Sequence, residues 1–230
     1  WSTAGPDTLL ISCLIDSPRR RHLLQPLGTF GPSLKDRILA AADALPYPLK
    51  IIGVSERFIG EHADFSRAFT VREDRTTSNY VYSTEALATL KGRKYAKKRN
   101  LISQAEGLYE WTASPLTAAR TDDCFAVLQA IVEEEHPLVE GMLAREIAAL
   151  ESTLRHFKAW EQQGVLVEAA GRPAAFSIYE AISPRTAAIH FERALRSFKG
   201  LYQVVNWETA RVIGDLEYEF INREEDLGDP

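Results

Sequence analysis

Three polar islands lie close together near the end of this 230-residue chain: His190-Phe191-Glu192-Arg193, Lys199-Gly200-Leu201-Tyr202-Gln203 and Asn222-Arg223-Glu224-Glu225-Asp226-Leu227-Gly228. An imidazole titrates near neutral pH, and a neighbouring carboxylate can orient it or accept a proton. On a strand, the spacing of two would turn His190 and Glu192 to one face and Phe191 and Arg193 to the other. That pattern suits a site, and it equally suits a buried hydrogen-bonded pair. Lys199-Gly200 precedes an apolar-periodic segment. Glycine lets a ligand approach the backbone, and the N–H groups of a helix start attract anions; a simple turn would leave the same trace. Glu224, Glu225 and Asp226 in a row need solvent or a cation, so they form a solvated turn, an amine-recognition point or the counter-charge for Lys199 and Arg223.

A fourth feature is cationic. Lys91, Arg93, Lys94, Lys97, Lys98 and Arg99 put six positive charges into nine residues, flanked only by Glu85 and Glu106. On a helix, Lys94, Lys97, Lys98 and Leu101 fall on neighbouring faces. The segment is then either a solvated face or a patch that holds phosphate from a polyphosphate, an RNA end or a lipid headgroup.

The elements that must position these groups follow from the apolar pattern. Thr8–Ile15 and Leu23–Leu27 read as strands around a Pro18–Arg21 turn. Ser33 reads as the cap of a helix over Leu34–Leu45, which Pro46 and Pro48 stop. Leu49–Val54 reads as a strand, Glu56–His62 as a short helix, and Phe69–Arg72 and Asn79–Tyr82 as strands. Thr84 is the expected cap of a helix over Glu85–Leu90, and the basic segment is expected as a helix over Arg93–Ala105. Tyr109–Trp111 reads as a strand, Asp122–Glu135 and Leu143–Gln163 as amphipathic helices. Val165–Ala170, Ala174–Ile182 and Thr186–Arg193 form a meander with tight turns, followed by a helix over Leu201–Ile213 and a strand at Glu217–Ile221. This order puts strand ends and a helix N-terminus at one rim. Helices and strands alternate in both halves, which predicts an α/β (α+β) chain of two similar modules. The expected division is 1–92, a basic bridging helix at 93–107, and 108–230.

Composition bounds the function. Apolar residues make up 45% and charged residues 26%, the balance of a soluble globular protein, and no apolar run reaches the length of a membrane span. The net charge of −5 divides unevenly: residues 1–113 hold 16 Lys/Arg against 12 Asp/Glu, and residues 114–230 hold 11 against 20. Overall acidity argues against a protein that coats nucleic acid, while a local patch can still grip a few phosphates. Cys13 and Cys124 lie far apart and read as buried apolar groups in a reducing cytoplasm. The five histidines make no H-x-x-x-H pattern, so no structural metal is expected.

The segments Tyr80-Val81-Tyr82, Leu90-Lys91-Gly92-Arg93-Lys94, Lys97-Lys98-Arg99-Asn100, His190-Phe191-Glu192-Arg193-Ala194, Lys199-Gly200-Leu201-Tyr202-Gln203 with Asn206, and Asn222–Gly228 appear in an order that resembles one family. It is the uncharacterised-domain family related to the C-terminal catalytic domain of phosphatidylglycerol lysyltransferases. The match spans Tyr80–Gly228, with the earlier part fitting more loosely, and is more specific for fold than for substrate. It implies tandem GNAT-like modules, each a mixed β-sheet flanked by helices, and an aminoacyltransferase that moves an amino acid from a tRNA ester to a hydroxyl or amine. Relatives act on a lipid hydroxyl, and the more distant Fem-type transferases build peptidoglycan cross-bridges. Carried over to this chain, Lys94, Lys97, Lys98, Arg99 and Asn100 would hold phosphate of the tRNA end or headgroup. Lys199 and the N–H groups after Gly200 would stabilise the oxyanion. Glu192, assisted by His190, would take the acceptor's proton, and Glu225 and Asp226 would recognise the ammonium. Gly200, Tyr202, Asn206 and Arg223 complete the expected substrate-binding set.

The implied partners are an aminoacyl-tRNA end and an anionic lipid or small-molecule acceptor. They would be met in the cytoplasm or at the inner membrane face, with no DNA, no metal and no required cofactor. Leu201, Tyr202 and Gln203 replace the small residues of a coenzyme A pyrophosphate loop, in keeping with such relatives. Ala96 stands where relatives often carry histidine. Relatives also continue past the acidic motif and begin with a further strand and helix, so the resemblance implies modules trimmed at both ends. Two rival readings stay open: a coenzyme A-dependent N-acyltransferase on the same fold, and a phosphate- or RNA-binding module without chemistry.

Overall fold

Two separate hydrophobic clusters organise the chain, one in each of two compact units, residues 1–77 and 78–230. The computed structural model describes residues 2–5, 7–15, 20–74, 78–135 and 142–225. Both units carry mixed sheets flanked by helices, the α/β class expected from the sequence.

The first unit comprises β1 (Ser2–Gly5), β2 (Thr8–Leu10), β3 (Ser12–Ile15), β4 (Arg20–Leu24), β5 (Leu27–Gly28), α1 (Pro32–Ala44), β6 (Lys50–Ile52), α2 (Glu56–Glu61) and α3 (Ala63–Ser66). Two three-stranded sheets form, in the orders β1-β2-β5 and β3-β4-β6. The apolar run Thr8–Ile15 is thus split at Ile11 between two sheets. β4 and β6 are parallel, joined across α1. Helix α1 starts at Pro32 with Gly31 as its cap and Ser33 inside the first turn, because proline's fixed φ suits that position and its missing N–H costs nothing there. Phe30, Leu34, Ile38, Phe58 and Phe65 form the core, with ring contacts of 4.9–5.0 Å from Phe30 to Phe58 and Phe65. Phe69–Arg72 is not a strand; Phe69 packs on Phe65 instead.

The second unit comprises β7 (Asn79–Ser83), α4 (Thr84–Thr89), α5 (Ala96–Glu106), β8 (Trp111–Pro115), α6 (Thr121–Glu135), α7 (Met142–Arg155), β9 (Gln163–Ala169), β10 (Arg172–Ser183), β11 (Thr186–Ala194), α8 (Leu201–Asp215) and β12 (Phe220–Glu225). Its six-stranded sheet runs β7-β12-β11-β10-β9-β8. The predicted meander β9-β10-β11 is antiparallel, and α8 then crosses over to set β12 parallel to β11. Because β7 pairs with β12, the boundary lies before β7 and not at 92, and the basic segment sits inside this unit against α8 instead of bridging two modules. The basic segment itself begins as a single 3-10 turn, Arg93–Tyr95, before α5. Ser83, not Thr84, caps α4 through the Ala86 N–H at 3.4 Å. Helix α7 ends at Arg155, short of the expected Gln163, and residues 156–161 turn back, with Glu161 at φ +51°. Among the described residues no helix is long and apolar enough to cross a membrane.

Leu201, Val204, Val205, Ala210 and Ile213 bury one side of α8 against the sheet, while Asn206 and Thr209 carry polar groups into the same interface. Thr209 meets Ser177 of β10 at 2.6 Å, fully buried. Gly200 opens this helix at φ +83°, and a Cβ there would collide with the Leu101 carbonyl of α5. The glycine is therefore required by close helix packing. Gly200→Ala should cost about 2–4 kcal/mol in urea unfolding, from left-handed strain plus overpacking. An unchanged midpoint would show that α5 and α8 are not in this contact.

Candidate functional site

Backbone pairing between the parallel strands β11 and β12 runs from Thr186↔Phe220 to Ala188↔Asn222. Further along, the two strands are joined by side chains. Arg223 Nη2 of β12 donates to Glu192 Oε2 of β11, whose side chain is only 3% exposed. Asn206 Nδ2 of α8 reaches the same oxygen at 3.4 Å, and Lys98 Nζ of α5 donates to Asn206 Oδ1 at 3.1 Å. Four sequence candidates from four elements thus meet in one chain of contacts. Among the described residues, buried Glu192 Oε1 has no hydrogen-bond partner.

Burial sets the electrostatics of this cluster. It pushes the Glu192 carboxyl above the usual carboxylate value, against the opposing pull of Arg223, Asn206 and Lys98. It also holds the Lys98 ammonium below the usual lysine value, helped by the Arg223 charge and opposed by Glu192. An acid raised and a base lowered are brought toward one another, which narrows the difference in proton affinity between them.

Tyr202 links this cluster to the outside. Its phenol is raised, by burial first and then by the Glu192 charge. Tyr202 also lines an open cleft of about 540 Å³ with Arg193, Arg196, Lys199, Gly200 and Gln203. The loop before α8 is tethered: Glu134 accepts the Arg196 and Ser197 N–H groups at 2.8 and 3.3 Å, and Tyr109 donates its hydroxyl to the Lys199 carbonyl at 2.9 Å. Lys199 and Gly200 therefore stand at the wall of this cleft.

His190 does not join Glu192. The register steps from Ile178↔Phe191 to Tyr179↔Ile189, leaving His190 as the extra residue of a β-bulge. The bulge breaks the alternation that would have placed the two side chains on one face. Glu192 faces α8, whereas the His190 ring lies between Glu224 (Nδ1, 2.6 Å) and Glu180 (Nε2, 3.1 Å), in a recess with Thr153, Trp160 and Phe191. The Glu224 hydrogen bond, against desolvation, keeps its pKa raised above 6.5. The two carboxylates thus favour the protonated ring, and His190 is not placed to accept a proton for Glu192. Glu180, its second partner, had no signal in the sequence, since nothing in residue spacing marks a bulge.

The basic segment divides. Lys98 turns inward to Asn206, Lys94 lies 4.9 Å over the Tyr95 ring, and Arg99 binds the carbonyls of Leu90 and Gly92 (2.8 Å for Gly92), closing the end of α4. Lys97 and Asn100 remain exposed on α5. The expected phosphate patch is accordingly reduced to its outward members. The backbone of Glu225 ends β12, and Asp226 lies outside the described residues, so the ammonium-recognition assignment falls there. Among the described residues no group of three or more His, Cys, Asp or Glu could hold a metal ion.

Removing one partner of a buried ion pair leaves the other charge uncompensated. Arg223→Met should cost about 3–5 kcal/mol in urea unfolding. Adding Glu192→Gln to that variant should recover part of the loss; strict additivity would show that the pair is not coupled.

Residues 9–228 match the family described as "Phosphatidylglycerol lysyltransferase, C-terminal". Comparison with curated proteins found no match. Among solved structures, a conserved protein of unknown function from Bacteroides thetaiotaomicron VPI-5482 is 28% identical, with a TM-score of 0.80 over 97% of this chain and 75% of that one. The C-terminal domain of a putative lysylphosphatidylglycerol synthetase from Agrobacterium fabrum is 14% identical, with a TM-score of 0.65 over 96% and 68%. L-PGS from Bacillus licheniformis is 14% identical, with a TM-score of 0.63 over 97% and 69%. The last two likenesses are of fold. Taken with the motifs, the match over nearly the whole length means that this chain belongs to the phosphatidylglycerol lysyltransferase C-terminal family.

Proposed function

We propose that this protein is an acyltransferase that moves an aminoacyl group from a tRNA ester to the hydroxyl of an anionic, phosphatidylglycerol-like lipid. The observation that carries this reading is the buried Glu192–Arg223–Asn206–Lys98 cluster beside the Lys199–Tyr202 cleft, in a chain of this family. In the reaction the acceptor oxygen attacks the ester carbonyl, its proton passes to the protein, and the tRNA ribose oxygen leaves with a proton. Glu192, with its raised pKa, takes the acceptor's proton through Tyr202 or a water and returns it to the leaving oxygen. Lys199 and the first turn of α8 stabilise the oxyanion, and the outward cations Lys94 and Lys97 meet phosphate. The donor is already activated, so positioning and charge stabilisation supply the rate and no cofactor is called for.

The coenzyme A reading is disfavoured by two features of the α8 start. Leu201, Tyr202 and Gln203 follow the glycine, and the Leu101 carbonyl of α5 fills the space beside it.

The test is transfer of radiolabelled amino acid from charged tRNA to phosphatidylglycerol vesicles, with mass spectrometry of lipids from cells with and without the gene. Glu192→Gln should lower kcat about 10²–10⁴-fold. Lys199→Ala should lower it about 10²-fold or more. Rates unaltered by both changes in an active preparation would overturn these roles. Heat stabilisation by acetyl-coenzyme A would favour the N-acyltransferase. Salt-sensitive tRNA binding without turnover would favour a binding module.

A further inference from the structure

From the two ion pairs spanning the gap between β11 and β12, we propose that His190 is a positioning residue that holds the end of β12, through Glu224, so that Arg223 stays seated on Glu192. The importance of that pair for turnover rests on the transferase reading; the mechanical link does not.

The geometry is specific. Both nitrogens of the His190 ring face carboxylate oxygens, Glu224 at 2.6 Å and Glu180 at 3.1 Å. Two acceptors on one ring require two N–H donors, so the ring is an imidazolium whenever both carboxylates are ionised. It thereby ties β11 to β10 on one side and to β12 on the other. The second carboxylate is itself fixed, since Gln162 Nε2 donates to Glu180 Oε2 at 3.0 Å.

Glu224 is where this tie acts. It stands at φ +61°, a left-handed conformation unusual for a residue with a side chain. The β7–β12 register shifts between Asn222 and Glu225 at the same place. Two contacts hold the irregular backbone: the Glu224 N–H donates to Asn222 Oδ1 at 2.8 Å, and its carboxylate accepts from His190. Arg223 immediately precedes it, so the angle at which Arg223 leaves the strand depends on the same kink. Ladder bonds to β11 do not help here, because they end at Asn222.

The tie is pH-sensitive with a definite sign. Among the described residues the charged groups facing the ring are Glu224 of β12 and Glu180 of β10. Thr153 of α7, and Trp160, Gln162 and Phe191, complete its surroundings without titrating. The His190 pKa lies above 6.5, raised chiefly by the Glu224 hydrogen bond. The two-sided tie, with both ring nitrogens donating and the ring charged, is therefore complete below 6.5; as pH rises through that higher value the ring loses its charge and one of its two N–H donors, which weakens its hold on the carboxylates.

The test is NMR of the full chain labelled with ¹⁵N-arginine and ¹⁵N-histidine, with Arg223 assigned by Arg223→Lys, titrated from about pH 6 to 9. Arg223 guanidinium signals are expected to change with the same midpoint as the His190 ring. In Glu224→Gln both midpoints should move together to lower pH, and in His190→Gln the Arg223 transition should vanish. An Arg223 signal that ignores His190 titration in the wild-type chain, or a transition that persists unchanged in His190→Gln, overturns the proposal. If His190→Gln does not fold, the wild-type and Glu224→Gln titrations decide alone. Turnover is measured on the same samples. Arg223 tracking His190 without any transfer would sink the transferase reading and leave the link standing. Transfer without that tracking would do the reverse.

Discussion

Everything about the candidate site depends on how the molecule closes the gap left when two parallel strands stop pairing. Strands beyond their last ladder bond have unpartnered backbone and no fixed separation. Here the separation is set by a carboxylate and a guanidinium, Glu192 and Arg223, embedded under helix α8. Burying such a pair is costly unless its remaining hydrogen-bonding capacity is met. Asn206 and Lys98 supply part of that requirement, and among the described residues one oxygen of Glu192 is left over.

The buried polar row has a wider effect on the fold. Ser177 and Thr209 continue it between β10 and α8, so the helix cannot rotate on the sheet without stranding several polar atoms at once. The apolar side chains of α8 drive the packing, while the polar ones specify which of many similar packings is adopted. Gly200 adds a steric limit at the helix start by admitting the α5 carbonyl.

Much of this was legible in the sequence because it rests on local periodicity. The meander 163–194 and helix α8 follow from alternation and from three-to-four spacing, and the motif order pointed to the family. Four of the named polar residues, Lys98, Glu192, Asn206 and Arg223, do converge. What stayed hidden depends on single-residue irregularities. One bulge residue turned His190 away from Glu192 and toward Glu180 and Glu224. The basic run looked uniform, yet three of its six cations found different partners: an amide for Lys98, a ring for Lys94 and carbonyls for Arg99. The unit boundary was missed because β7 pairs with a strand far away in sequence, which no local pattern records.

The tethers on the loop before α8 carry a thermodynamic consequence. Glu134 grips two of its amides and Tyr109 its last carbonyl, so the wall that bears Lys199 is already rigid before anything arrives. Freezing mobile segments is among the larger penalties of association, and here folding has met it in advance. A molecule seated in this cleft would keep more of the benefit of each contact it made, with the Tyr202 ring as one wall of its surroundings.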